Sequence, residues 1–447
     1  MITAKLLSRM PLPRSNRNPR ARLDDHTDIA APRAPRWTER GTPAYRRISL
    51  ALFLAGFATF SLIYAVQPLL PHLVEEFRVS PSAGSLALSL TTGCLAFAIL
   101  CAGAISETVS RRALMFGSMC GAAILHVGSA IAPDWHMLLI LRALEGLVLG
   151  GVPAVAMAYL AEEIHPKALG TAMGLYVGGT AFGAMLGRIS AGVVTEYFSW
   201  RVASGGIGVL GLLASLGFFA LLPPSRNFFP RTTGGMMAHH REAWLKHLRT
   251  PGLPLLFLTG FLALGINVTM FNYLTFRLSS APFDLTPAQI GAIFLVYLLG
   301  AIASTLAGNL ADRLGRSPIL LAGIATMAVG TALTLTSSLV GVIAGVIAST
   351  IGFFITHSVA SGWVGRLAVG SKGHASSLYL LAYYVGSSVM GTVGGWFWAG
   401  GGWNAVAGLV AIMLAVALVT ALRLRGIERR SARHSAPPDI PVQENRT

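Results

Sequence analysis

The chain has 447 residues, 53% of them apolar and only 12% charged, about half the charged fraction of an ordinary soluble domain. Its formal charge of +16 does not indicate nucleic acid as a partner, because the basic residues bracket long apolar stretches and form no basic face on a soluble fold. Fifty glycines and 14 methionines suit packed membrane helices, with a lipid bilayer as the solvent.

The first 47 residues hold many arginines and prolines but no apolar signal-peptide core before Ile48, so they read as a basic cytoplasmic tail. An organelle transit peptide, or a start codon lying upstream of the native one, are the other readings. Apolar stretches long enough to cross a ~30 Å hydrocarbon core then recur, near 49–71, 85–104, 113–132, 136–160, 168–194, 203–222, 253–277, 288–307, 318–337, 340–363, 375–398 and 403–422. An all-α membrane protein of twelve transmembrane helices is expected. The longest internal polar interval, Pro223 to Gly252, divides them into six-helix bundles at 48–222 and 253–422, joined by a cytoplasmic linker at 223–252 and followed by a tail at 423–447.

Lysine and arginine positions orient the spans. Both tails and the loops after spans 2, 4, 6, 8 and 10 hold 29 of the 34 basic residues, leaving Arg78, Arg142, Arg188, Arg201 and Arg277 elsewhere. This positive-inside pattern puts both termini in the cytoplasm. Trp135, Trp200, Trp398 and Trp403 then share the depth of the opposite interface, which favours an aromatic belt over the other reading, ordinary packing residues.

Along the spans, polar groups stand out against the apolar background. Span 1 carries Tyr64 and Gln67 before Pro68, span 7 carries Asn267, Asn272 and Tyr273, span 10 carries His357, and span 11 carries Tyr379, Tyr383 and Tyr384. They are candidates for lining a substrate cavity, or for satisfying helix contacts and the backbone around Pro68. Cys94, Cys101 and Cys120 all lie inside apolar stretches and read as packing thiols. No metal-ligand spacing joins them, so neither a metal nor another cofactor is expected. His126 and His357 can each exchange a proton or sit neutral in a packed interior; His357 is the favoured candidate because Thr356 and Ser358 flank it.

Span 4 reads Arg142-Ala-Leu-Glu145-Gly. Counted from Trp135 at ~1.5 Å per residue, Arg142 lies ~10 Å and Glu145 ~15 Å inside the membrane. An arginine at that depth costs ~2.5–3.5 kcal/mol on insertion scales, so it needs a cavity or a partner, and Glu145 is three residues on along the same helix surface. The pair is either a proton site or a purely structural ion pair. Arg188, at similar depth on span 5, is a further charge candidate: it can draw an anion or share Glu145, or snorkel to the headgroups. In the same span Gly179, Gly183 and Gly187 recur at steps of four, a face that lets a neighbouring helix approach closely.

The two halves repeat. Leu175-Tyr176, Gly183 and Trp200 recur 203 residues later as Leu378-Tyr379, Gly386 and Trp403. The loop after span 2, with Glu107, Arg111 and Arg112, corresponds to the loop after span 8, Gly308-Asn-Leu-Ala-Asp312-Arg313-Leu-Gly315-Arg316. Repeated halves suit a carrier whose central path opens alternately to either side. In these loops the carboxylates and arginines can form charge-assisted hydrogen bonds across helix ends in one conformational state, with Gly308 allowing close helix approach, or the arginines only fix topology.

From Ile48 to Leu422 the sequence resembles the major facilitator superfamily, and the loop from Gly308 to Arg316 matches that family's cytoplasmic motif, G-x-L-a-D-r-x-G-r. The first copy departs from it at Glu107, Thr108 and Ser110. Arg142 to Gly146 resembles the family's R-x-x-q-G pattern, in which the arginine is associated with proton coupling, with Glu145 where glutamine is commoner. The glycines of span 5 resemble the fifth-helix signature of drug/proton antiporters, without its Gly-Pro pair. Glu162-Glu-Ile-His-Pro166, His357-Ser-Val-Ala-Ser361 and Ser376-Ser-Leu-Tyr-Leu380 are similar to bacterial inner-membrane transporters of the YnfM type, on the drug-exporter side. The resemblance implies no enzyme but a monomeric carrier in the bacterial inner membrane, exchanging protons against a small organic, drug-like substrate. Import of a sugar or other metabolite, or a non-transporting membrane sensor, are the alternatives. No G-x-x-x-x-G-K-[ST] loop supplies an ATP engine.

Overall fold

The structure, a computed structural model, describes residues 37–105, 109–227, 236–368 and 372–435. Thr42 opens the first helix by accepting the Tyr45 amide on its hydroxyl, with Pro43 at a position whose N–H is not needed. Asp134, Ser199 and Thr286 cap spans 4, 6 and 8 in the same way. Eleven continuous helical stretches among the described residues are long and apolar enough to cross a membrane. The last of them, Lys372–Arg430, contains a break: Gly401 leaves helical geometry and Gly402 has φ +58°, a left-handed conformation that glycine adopts at little cost. Lys372–Arg430 therefore supplies spans 11 and 12, and the chain is an all-α fold with the expected twelve passes.

The spans differ from the apolar stretches at their ends. Span 1 runs from Pro43 to Phe77, unwinding after Tyr64 into a short 3₁₀ turn at Gln67–Leu69, because Pro68 has no N–H to donate and its ring clashes with the preceding turn. The interval 223–252 contains a helix, Met236–Arg249, and the final helix runs on to Ser435.

Apolar side chains lie on the outside as well as in the core. Phe97, Ile124, Leu213, Ile302 and Ile412 are among the exposed large apolar residues, while Arg142, Glu145, Arg188, Gln67 and Asn272 are buried. That is the pattern a hydrocarbon solvent selects. At one face lie the helix ends bearing Arg111, Arg112, Asp312 and Arg316, hereafter the basic face; the ends bearing Trp135, Trp200 and Trp403 define the tryptophan face. Two of the tryptophans are packed rather than lodged at an interface: Trp200 is buried and donates to Glu76, and Trp403 is buried and donates to the Thr334 carbonyl. Trp135 and Trp398 are half-buried, against Phe77 and against Tyr273 and Phe276. The belt reading of Trp200 and Trp403 gives way to hydrogen-bonded packing.

Bonds between the first six and the last six spans run from mid-depth to the tryptophan face. Ser387 donates to Thr92 at 3.2 Å and Ser82 to the Thr392 carbonyl at 3.3 Å, joining spans 2 and 11. The amide of Ala288, at the start of span 8, donates to Glu196 at the end of span 5. A Cβ on Gly192 would meet the Pro287 carbonyl at 2.4 Å. The molecule is thus closed at its tryptophan face.

Candidate functional site

Span 4 places Arg142 and Glu145 one helical turn apart, 1% and 0% exposed. Arg142 Nη1 donates to Glu145 Oε2 at 2.7 Å. The fork also donates to backbone: Nε to the Ala87 carbonyl of span 2 at 2.9 Å, Nη1 to Leu62 and Nη2 to Ile63 at 3.2 and 3.0 Å. Those last two carbonyls belong to the final helical turn before span 1 unwinds, where helix ends leave carbonyls in need of donors. Arg142 therefore holds the break that Pro68 creates.

Span 3 adds a residue that the sequence reading passed over in favour of His357. His126 is 1% exposed, and its Nδ1 lies 3.1 and 3.2 Å from the two Glu145 oxygens and 3.0 Å from Arg142 Nη1. Its Nε2 is 3.3 Å from the Ser204 hydroxyl of span 6. An arginine can only donate and an ionised carboxylate can only accept. Nδ1 therefore needs a proton to bond an ionised Glu145; without one it can accept from Arg142, or from a protonated Glu145. One proton can sit on either side of the 3.1 Å contact, with Arg142 and Ser204 in place for both states. A narrow pocket lined by Leu73, Ser129, Leu138, Trp200 and Ser204 reaches His126 and Arg142, from the side of the tryptophan face.

Arg188 does not share Glu145 and does not snorkel. It is 1% exposed, with its guanidinium 4.2 Å from the Tyr64 ring and 4.7 and 4.9 Å from Phe294 and Tyr297. Nε donates to Gln67 Oε1 at 2.8 Å and Nη1 to the Ala184 carbonyl at 2.6 Å. Gln67 Nε2 in turn donates to Asn272 Oδ1 at 2.7 Å, linking spans 5, 1 and 7. The expected exit to headgroups fails because the rings of spans 1 and 8 enclose the cation, whose quadrupoles attract it. Asn267 accepts from Tyr297 at 3.0 Å.

The other cavity candidates separate into two sets. His357 Nδ1 lies 3.0 Å from the Tyr379 hydroxyl, its ring stands 4.6 Å from that of Tyr383, and Tyr383 meets Tyr384 edge-on, so spans 10 and 11 form one aromatic wall. Tyr273 stands apart: fully buried, it donates to the Gly391 carbonyl at 2.6 Å and stacks near Trp398, which makes it a packing residue between spans 7 and 11.

At the basic face, Glu107 lies outside the described residues. Arg111 binds Glu162 at the end of span 4, and Arg112 donates to the Phe219 carbonyl and covers that ring at 4.1 Å. Asp312 accepts from Arg316 at 3.4 Å and, more closely, from Arg366 of span 10 at 2.7 Å. Arg316 also reaches the Gly362 carbonyl, while Arg313 is exposed. Glu428 of span 12 accepts from the Arg316 and Ser317 amides. These bonds each stay within the first or the last six spans. A Cβ on Gly308 would meet nothing within 4 Å, so the close approach expected there is not made in this conformation.

The span 5 glycines do make theirs. Cβ atoms at Gly179, Gly183 and Gly187 would stand 2.4, 2.1 and 2.8 Å from Phe53 O, Phe57 O and Ser61 Cα of span 1, and Ser61 donates to the Gly183 carbonyl. The repeat holds in space: a Cβ on Gly386 would stand 2.0 Å from the Phe261 carbonyl.

The sequence profile of the Major Facilitator Superfamily matches residues 52–281 and 278–443. The MFS-type transporter YybF of Bacillus subtilis (strain 168) is 46% identical over 382 residues, covering 86% of this chain and 94% of that protein. The inner membrane transport protein YnfM of Escherichia coli (strain K12) is 44% identical over 402 residues, covering 90% and 95%. A bacterial homologue of the human lysosomal transporter Spinster, solved in an inward-facing and unoccupied conformation, shares the fold with a TM-score of 0.69 at 16% identity, over 89% of this chain and 99% of that one.

Proposed function

We propose that this chain, which belongs to the major facilitator superfamily and so carries small molecules by secondary active transport, exports a small organic, drug-like compound in exchange for protons. The observation that carries the reading is the wholly buried Glu145 carboxylate bonded to both Arg142 and His126. That carboxylate faces one group that can only donate and one that can donate or accept, so it is placed to exchange a proton across the 3.1 Å contact to His126. The small pocket at Ser129, Trp200 and Ser204 borders His126 and Arg142 on the tryptophan-face side, the periplasmic side when the basic face is cytoplasmic, and in this reading protons enter from there when that face opens. In this reading the protein sits in a bacterial inner membrane as a monomer with both termini inside. The bundles 48–222 and 253–422 rock about the seam, and Glu107, Arg111, Arg112, Asp312, Arg313 and Arg316 restrain the basic face. Tyr64, Gln67, Asn267, Asn272, His357, Tyr379 and Tyr383 line the path. The similarity to YnfM supports the inner-membrane placement.

The test is a pH-jump assay on purified protein in sealed liposomes, with lipophilic cations, sugars and organic anions as probes and Glu145→Gln beside the parent. Proton movement driven by one compound through the parent, and lost in a variant that still binds it, supports exchange through this site. Substrate and protons moving in the same direction turn the exporter into an importer. A variant that couples normally moves the proton site elsewhere.

A further inference from the structure

Within the export reading, the donor and acceptor inventory around Arg188 narrows the cargo. Arg188 has only donors to offer, so the Gln67 atom 2.8 Å from its Nε is fixed as the carbonyl oxygen. That leaves the Gln67 amide nitrogen facing Asn272, which must present its own oxygen at 2.7 Å. The side-chain amides of Gln67 and Asn272 are thereby oriented by one obligate donor rather than by choice. The remainder is Asn272 Nδ2, a donor on a residue with 0% exposure and no hydrogen-bond partner. Arg188 itself is buried among Tyr64, Phe294 and Tyr297, and no carboxylate forms an ion pair with it among the described residues. A buried cation with no counter-ion, on span 5, and a buried amide donor with no acceptor, on span 7, are both answered by one anionic acceptor, whose charge serves the first and whose lone pairs serve both.

We infer that the cargo is an organic acid, a carboxylate on an aromatic or apolar body, whose anionic group is received by Arg188 from span 5 and Asn272 from span 7 while its body lies along the aromatic side chains. Such an anion completes the donor set, and because its two receivers belong to opposite sides of the seam its binding reports on how they sit together. Planar, bidentate recognition of a carboxylate also explains an arginine rather than a lysine here.

The inference is tested by binding to the full-length protein in nanodiscs, using benzoate, salicylate, 1-naphthoate and picolinate, each paired with its carboxamide and its aminomethyl analogue. The expected result is at least one carboxylate that binds tenfold or more tightly than both partners. That preference falls tenfold or more in Arg188→Gln, falls less in Arg188→Lys, and weakens in Asn272→Leu. Equal or better binding of amides or amines, or carboxylate preference unchanged in Arg188→Gln, overturns it, as does a panel in which no carboxylate binds. The comparison within each chemical pair on the parent protein stands even where a variant fails to fold. Carboxylate selectivity without proton movement leaves this inference standing and removes proton exchange; proton movement driven only by cations does the reverse.

Discussion

A Cβ built on Gly183 would stand 2.1 Å from the carbonyl oxygen of Phe57, so span 5 lies against span 1 with backbone touching backbone. Gly183→Ala must force the helices apart, and overpacking of this kind costs typically about 1–3 kcal/mol. A lower thermal midpoint in detergent is expected for Gly183→Ala and, by the repeat, for Gly386→Ala. Gly178→Ala, which would meet nothing within 4 Å, serves as the control and should not lower the midpoint, because alanine is the better helix former.

Arg142→Lys keeps the charge and loses the fork. A lysine ammonium cannot reach the Ala87, Leu62 and Ile63 carbonyls and Glu145 together, whereas the guanidinium does. Leaving buried carbonyls unsatisfied costs about 1–3 kcal/mol each, so the variant should be less stable and inactive in transport. A variant with wild-type denaturation and transport would remove Arg142 from the maintenance of the span 1 break.

His126→Gln tests whether the histidine belongs with Glu145. Its amide can still bond Glu145 but cannot carry the exchangeable proton, so transport should persist with an altered pH profile. Ser204→Ala, which loses only the 3.3 Å contact to Nε2, should change stability by about 1 kcal/mol or less and move the profile little. Identical profiles for wild type and His126→Gln would separate the histidine from the proton site.

The bond from Tyr273 to the Gly391 carbonyl predicts that Tyr273→Phe loses about 1 kcal/mol of stability with unchanged substrate selectivity. Tyr379→Phe removes the partner of His357 and should alter selectivity or KM instead. The reverse assignment of effects in transport assays would place Tyr273, not Tyr379, on the path.

Asp312 and Arg366 form an exposed pair, 59% and 64% accessible. Exposed pairs contribute about 0–1 kcal/mol and are screened by salt. Asp312→Asn should therefore leave the unfolding midpoint nearly unchanged while changing transport rate, which checks for a gating role. A large loss of stability would mark the motif as a structural staple.

Twelve passes can be read from the residue order alone, since each apolar stretch is long enough to span the bilayer as a helix, and the cost of a charge left inside such a helix singles out Arg142, Glu145 and Arg188. The glycine face of span 5 was legible for the same reason: a period of four maps onto one side of a helix. Which buried groups meet is visible only in the packed fold. His126, Glu145 and Ser204 lie on three helices with no spacing to connect them, and Arg366 is 54 residues from Asp312. The depth of Arg188 could be counted along span 5, but not the rings of spans 1 and 8 that keep it from the headgroups, nor the orientation that it imposes on Gln67 and Asn272. Helix periodicity assigns residues to faces, and only packing in three dimensions chooses the face each one will touch.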